Sequence, residues 1–177
     1  MGNSKKNTYR LILLTCAIAL FIIGFYVGKY YNGTNNEIPQ GVILNHGPGL
    51  SKMQMVTDEF LNAWNNGDAE GCANTYSKEA LFMPSELSSI QGREAIKKYF
   101  ETEVPKNAGE MKITEKVLEV IYFGDWATMQ GLGEVSIQQS DSTVENSSFK
   151  WAMLSKKNPE GKWESVWDIY NYNNINH

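Results

Sequence analysis

The sequence predicts an α+β domain, with helices packed on one face of a curved antiparallel sheet, behind one N-terminal transmembrane helix. Three observations carry that prediction. An uncharged run fills residues 11–28. Apolar residues then recur at helical spacing between Met53 and Phe100. From Met111 onward the pattern changes to long alternating stretches parted by polar turns.

The N-terminal run, LILLTCAIALFIIGFYVG, begins at Leu11, ends at Gly28 and is bounded by Arg10 and Lys29. Eighteen helical residues rise about 27 Å, close to the hydrocarbon thickness of a bilayer. Lys5, Lys6 and Arg10 precede it, so the N-terminus is expected in the cytoplasm and the rest outside. A cleaved signal peptide would want a shorter apolar run and small residues at the cut, which Val27, Gly28 and Lys29 supply poorly. Leu13-Leu14-Thr15-Cys16 loosely resembles a lipoprotein signal, yet most of the apolar run follows Cys16 rather than preceding it. Lys6 stands where myristoylation wants Ser or Thr. The sequence therefore predicts four segments: a cytoplasmic start at 1–10, an uncleaved anchor at 11–28, a linker at 29–50 and a domain at 51–177. The expected location is the cytoplasmic membrane, single-pass, with the domain periplasmic or extracellular.

Charge and composition exclude several classes of function. The net charge is −4, and four cations (Lys5, Lys6, Arg10, Lys29) precede the first acid, Glu37. From Asn32 onward, 12 bases face 20 acids, a net −8 that argues against a nucleic-acid partner. Two His (His46, His177) and two Cys (Cys16, Cys72) cannot assemble a zinc site, so no metal is expected. Gly131-Leu132-Gly133 lacks the next Gly of a dinucleotide loop and suggests a bulge in a strand, and no cofactor is expected.

Within the domain, a helix is predicted from Ser51, with Gln54 in the capping-box position and a stripe of Met53, Val56, Phe60, Ala63 and Trp64. Asn65-Asn66-Gly67 ends it. Asp68 caps a second, short helix that carries Cys72 and Tyr76. Extended pieces follow at 80–83 and 88–90, then a third helix from Gly92 to about Val104. Four strands complete the chain: Met111–Phe123, Trp126–Gln138, 147–156 and 162–172.

The last hairpin turns at 158–161. Pairing Lys156 with Lys162 sets Lys150 opposite Asp168 and Ala152 opposite Val166. Strict alternation then places Lys150, Ala152, Leu154, Val166, Asp168, Tyr170 and Tyr172 on one face. Phe149, Trp151, Met153, Trp163, Trp167 and Ile169 take the other, and that apolar block is expected to form a homodimer interface. The alternative cover for it is the linker, through Ile38, Val42, Ile43 and Leu44.

Phe60-Leu61-Asn62-Ala63-Trp64-Asn65-Asn66-Gly67-Asp68, Gln91-Gly92-Arg93-Glu94-Ala95-Ile96, Phe123-Gly124-Asp125, Lys150-Trp151, Gly161-Lys162-Trp163 and Trp167-Asp168-Ile169-Tyr170-Asn171 occur in an order and spacing with a known counterpart. Together they resemble the SnoaL-like, ketosteroid-isomerase-like domains of the nuclear transport factor 2-like superfamily, within its members of unknown function. The resemblance implies a cone: three helices closing the concave face of a bent sheet around an apolar pocket, often dimerising through the outer face.

Residue by residue, the resemblance also removes the steroid isomerase roles. The oxyanion tyrosine falls on Phe60, the general base on Met83 or Pro84, and the protonated aspartate on Lys150. The expected ligand wall is Phe60, Trp64, Phe82, Lys150, Val166, Asp168 and Tyr170, around a small apolar ligand. Two functions stay open. One is a non-catalytic binding or protein-interaction module, in which Lys150 and Asp168 form a cross-strand ion pair. The other is a pocket enzyme of isomerase, dehydratase or hydrolase type, with Asp168 and Tyr170 as catalytic candidates and Lys150 tuning the acid. Arg93 is expected to be a structural contact.

Overall fold

Helix α1 (Gly47–Asn65) starts four residues before its expected capping serine, because Pro48 sits in its first turn. Proline has its φ already set for a helix and no N–H to leave unsatisfied there. Ser51 instead donates its hydroxyl back to the Gly47 carbonyl at 3.3 Å. Met53, Thr57, Leu61 and Trp64, spaced by four, four and three, are the buried stripe. Helix α2 (Ala69–Ala73) is capped as expected, the Asp68 carboxylate accepting from the Gly71 N–H at 2.8 Å. Helix α3 (Arg93–Glu103) buries Ile96 and Phe100.

The computed structural model describes residues 41–104, 111–139 and 142–173, all within the unit Gln40–His177. The anchor expected over 11–28, with the linker up to residue 40, lies outside them. Among the described residues no helix is long and apolar enough to cross a membrane.

Seven strands form one sheet in the order β1-β4-β5-β6-β7-β2-β3. They are β1 (Val42–Leu44), β2 (Tyr76–Met83), β3 (Ile90–Gln91), β4 (Met111–Phe123), β5 (Trp126–Gln138), β6 (Val144–Lys157) and β7 (Trp163–Tyr172). Strands β4 to β7 are the expected meander. Two features were not anticipated. Residues 42–44, read as linker, pair with Tyr122, Ile121 and Val120 of β4. Tyr76, expected on the second helix, opens β2, which runs parallel to β7 from the Tyr76–Ser165 pair onward. Such long-range pairing is invisible to local pattern.

Two side chains of α1 hold it to the sheet. β1 covers only 120–122 of the free edge of β4, and α1 supplies partners for the rest. Gln54 accepts from the Val117 N–H at 2.8 Å and donates to the Glu115 carbonyl at 3.1 Å. Asn65 makes the same double contact with the backbone of Ile113, both at 2.9 Å. Each amide imitates a strand residue, so the edge is satisfied and closed to further strands. Gln54 thus serves the sheet and not a capping box.

The expected register of β6 and β7 is overturned. Lys150 lies opposite Asn171, and Asp168 opposite Met153. The pairing shifts between Leu154–Trp167 and Ser155–Ser165, leaving Val166 as one extra residue in β7. A bulge of this kind reverses the alternation of every residue beyond it. Phe149, Trp151 and Met153 therefore share the helix-covered face with Asp168, Tyr170 and Tyr172. Trp163, before the bulge, joins them. Lys150, Ala152, Trp167 and Ile169 point the other way and are exposed.

The glycines of Gly131-Leu132-Gly133 mark no bulge in β5. A Cβ on Gly133 would stand 2.5 Å from Phe149 Cε1, and one on Gly131 2.5 Å from Trp151 Cζ2. Two core rings lie flat against bare backbone there. The bulge is in β4, where Leu118 is the extra residue between Val117–Gly131 and Glu119–Gln130.

Candidate functional site

The helix-covered face encloses a cavity of about 110 Å³ with sixteen lining residues: ten aromatic, three aliphatic and three acidic. Its wall comes from every layer of the domain. Phe60 and Trp64 arrive from α1, Tyr76 and Phe82 from β2, and Tyr99, Phe100 and Glu103 from α3. Glu115 stands on β4, Trp151 on β6, Asp168 and Tyr170 on β7. The rings brace one another: Phe82 stacks on Tyr170 at 6.1 Å, and Trp64 meets Phe100 edge-on at 6.0 Å. Contacts of this kind fix a wall in shape before any ligand arrives.

Asp168 is the buried acid of the site, 9% exposed. The Tyr76 hydroxyl donates to its Oδ2. Burial pushes the Asp168 carboxyl up to about 6, against the opposing pull of the Tyr76 hydrogen bond. Burial also holds the Tyr76 hydroxyl well above the ordinary tyrosine range, and the neighbouring Asp168 charge adds to this. Arg93 sets the strand beneath them, donating from Nε to the Tyr76 carbonyl at 2.6 Å while its Nη2 meets Glu164 at 3.2 Å. It ties β2 to β7 and lines neither cavity described here, in keeping with a structural contact.

Glu115 is the second acid, and the sequence pattern did not single it out. Burial, then the charges of Asp168 and Asp58, push its carboxyl up to about 8. A smaller cavity of about 30 Å³ adjoins the first and shares Phe60, Tyr76, Glu115, Trp151 and Asp168 with it. That space suffices for a water molecule or two. Burial, and then the neighbouring Tyr99, hold the Tyr170 hydroxyl well above its usual range. The indole N–H groups of Trp64 and Trp151, both lining residues, are buried without a hydrogen-bond partner.

Of the expected ligand wall, Phe60, Trp64, Phe82, Asp168 and Tyr170 come together around this cavity. Lys150 and Val166 do not. Lys150 is exposed on the opposite face and forms no pair with Asp168, and Val166 is consumed by the bulge. The partner of Asp168 is Tyr76. Of the expected dimer block, Phe149, Trp151 and Trp163 are core residues, 4–5% exposed, and Met153 packs against them. Trp167 and Ile169 are 55% and 38% exposed. Sequence reading missed Tyr76, Tyr99, Glu103 and Glu115 as site residues. Glu115 carried one signal, an acid in the alternation of Met111, Ile113, Glu115 and Val117, where apolar residues face the core.

Among the described residues no group of three or more His, Cys, Asp or Glu is placed to hold a metal ion. Cys72 is buried, and burial followed by the Asp68 charge pushes its thiol up to about 12, far from a reactive thiolate.

The SnoaL-like domain profile matches residues 57–166. No curated protein sequence matches the chain. Solved structures share its fold. A ketosteroid isomerase-like protein from Erwinia carotovora atroseptica is 15% identical, with a TM-score of 0.59, over 73% of this chain and 100% of that one. A nuclear transport factor 2-like superfamily protein from Salmonella enterica serovar Typhimurium is 13% identical at a TM-score of 0.59, over 72% and 92%. A protein of the same fold from Novosphingobium aromaticivorans gives 15% and 0.58, over 70% and 81%.

Proposed function

This chain belongs to the SnoaL-like domain family, and from that premise we propose that it is a small-molecule-binding module. Its N-terminal segment holds it at the outer side of the cytoplasmic membrane, and it pairs with a second copy through the exposed face of its sheet. Fold membership leaves the activity open, so the site decides. The observation that carries the binding reading is the cavity itself, mostly aromatic and covered by α1 and α3, with a few polar groups inside it. That is the usual constitution of a ligand site. The uncharged run at 11–28 supports the anchor. Protease applied to intact cells should remove the domain, and a mature chain beginning near Tyr30 would refute the anchor.

Ligand capture tests the binding reading. Native mass spectrometry of the purified full chain should find a retained or added small molecule. Indole fluorescence should respond to it, since Trp64 and Trp151 line the cavity. An emission spectrum indifferent to a broad panel of small apolar molecules would refute the reading.

A second reading, proton-transfer catalysis, draws on the Asp168 carboxyl near 6 and the Glu115 carboxyl near 8. Two acids held at different strengths in one pocket can take and return a proton at neutral pH. Steroid isomerisation is not the reaction proposed. Phe60 has no hydroxyl, Met83 and Pro84 hold no proton, and Lys150 is on the far face.

A further inference from the structure

We propose that the ligand of this cavity is a small organic cation, an alkylated ammonium. The inference rests on the binding reading above and adds the ligand's charge. Among the described lining residues there is no Lys, Arg or His, whereas there are ten aromatic rings and the carboxyls of Glu103, Glu115 and Asp168. Ring faces are negative and attract cations, most strongly where water is excluded. A neutral apolar ligand would gain nothing from three acids. An anion would find no cation in the wall to meet it and would be repelled by each carboxyl that is ionised.

Cation binding and carboxyl ionisation are then coupled. Asp168 on β7 faces Tyr76 on β2, with Glu115 on β4 close enough for their charges to interact. Asp58 on α1 acts on Glu115, and Cys72 on α2 acts on Tyr76. Glu103 on α3 acts on Tyr99, Tyr170 and Tyr172. Burial keeps Asp168 and Glu115 protonated into the neutral range. A bound cation stabilises their ionised forms, so binding expels protons and strengthens as pH rises, levelling off above about 8.

Choline and its uncharged carbon analogue, 3,3-dimethylbutan-1-ol, share shape and hydroxyl and differ in the charge. Neither titrates in this range, so any pH dependence belongs to the protein. The full chain should bind choline about tenfold or more tighter than the alcohol at about pH 9, with the preference shrinking toward about pH 5. Titration calorimetry in buffers of different ionisation heat should show proton release with choline and none with the alcohol. Glu115→Gln and Asp168→Asn should each reduce the preference for choline over the alcohol, with circular dichroism and urea unfolding showing that the variants are folded. Equal binding of the two compounds, or a preference flat across pH, would overturn the cation assignment and leave the binding reading standing. Binding of neither at millimolar concentration would also overturn the cation assignment, and the binding reading then stands or falls with the broad panel.

Discussion

The two faces of the β6–β7 hairpin both carry large apolar side chains and meet opposite fates. One carries Phe149, Trp151 and Trp163 into the core, with Asp168 and Tyr170 at the cavity. The other leaves Trp167, Ile169 and Ala152 in the open. The presence of a large apolar side chain does not tell them apart, since each face holds at least one indole. What separates them is a single extra residue, Val166, and two glycines on the neighbouring strand that make room for rings on one side only. Face assignment in a sheet is thus set by irregularities, and the same side chain is core or surface according to where they fall.

The largest test of this contrast is a matched pair of truncations. Trp151→Ala empties a core position between α1 and the sheet and should destabilise the domain by about 3–5 kcal/mol. Trp167→Ala removes the same side chain from the exposed face, 55% accessible, and should change the stability of a single chain by no more than about 0.5 kcal/mol. Urea unfolding of the two variants measures both. Similar losses would mean that the hairpin faces are reversed.

That pair also locates the limit of the sequence. The α+β class, the three helices and the four-strand meander follow from periodicity and turn signals. The wall residues Phe60, Trp64, Phe82, Asp168 and Tyr170 were likewise within reach, through the α1 stripe, one short strand and the β7 alternation before its phase was known. Register was not. The bulge at Val166 has no Gly or Pro to announce it, and Val is an ordinary strand residue. One misplaced phase moved Lys150 into the site and two aromatic residues, Phe149 and Trp151, out of it. Tyr76 and Glu115 escaped for a different reason, since their importance lies in being brought to Asp168 from strands 92 and 53 residues away.

A difference in solvent also separates the faces, and pH reads it. The folded chain holds protons on Asp168 to about 6 and on Glu115 to about 8, whereas their ordinary values are 3.8 and 4.5. Between the ordinary and the raised value the folded state keeps a proton that the unfolded chain has lost. Stability therefore falls as pH rises from about 4 to about 8. Asp168→Asn should lessen the slope below about 6, and Glu115→Gln should lessen it from about 4.5 to about 8. Urea midpoints against pH measure it, and a wild-type profile that rises over this window would contradict the buried placement of both acids.

A smaller effect is expected along β5, where the two faces alternate residue by residue. Gly133→Ala sets a methyl against the Phe149 ring and should cost about 1–3 kcal/mol by overpacking. Its neighbour Leu132 is 49% exposed on the other face, and Leu132→Ala should stay within about 0.5 kcal/mol. A neutral Gly133→Ala, with Phe149 still buried, would show that the ring has room to withdraw and that the glycine is not needed to seat it.

The smallest change in stability comes with the largest change in assembly. Trp167, Ile169 and Leu132 expose large apolar surface next to Leu154 and Ala152, and nothing among the described residues covers them. Residues 42–44, the alternative cover within one chain, are engaged in edge pairing with β4. A contiguous apolar patch of this kind is rare on a soluble monomer unless it serves an interface. The proposed twofold pairing sets Trp167 against the same face of a second copy. Trp167→Glu places a charge there, and its cost to the isolated fold should be within about 0.5 kcal/mol, because the side chain already meets solvent. Sedimentation of the full chain should show a dimer for the wild type and a monomer for Trp167→Glu, with unchanged ligand binding in the cavity behind the sheet. A wild type that sediments as a monomer at tens of micromolar, roughly the range in which weak pairs still associate, would remove the dimer and leave this face without an occupant.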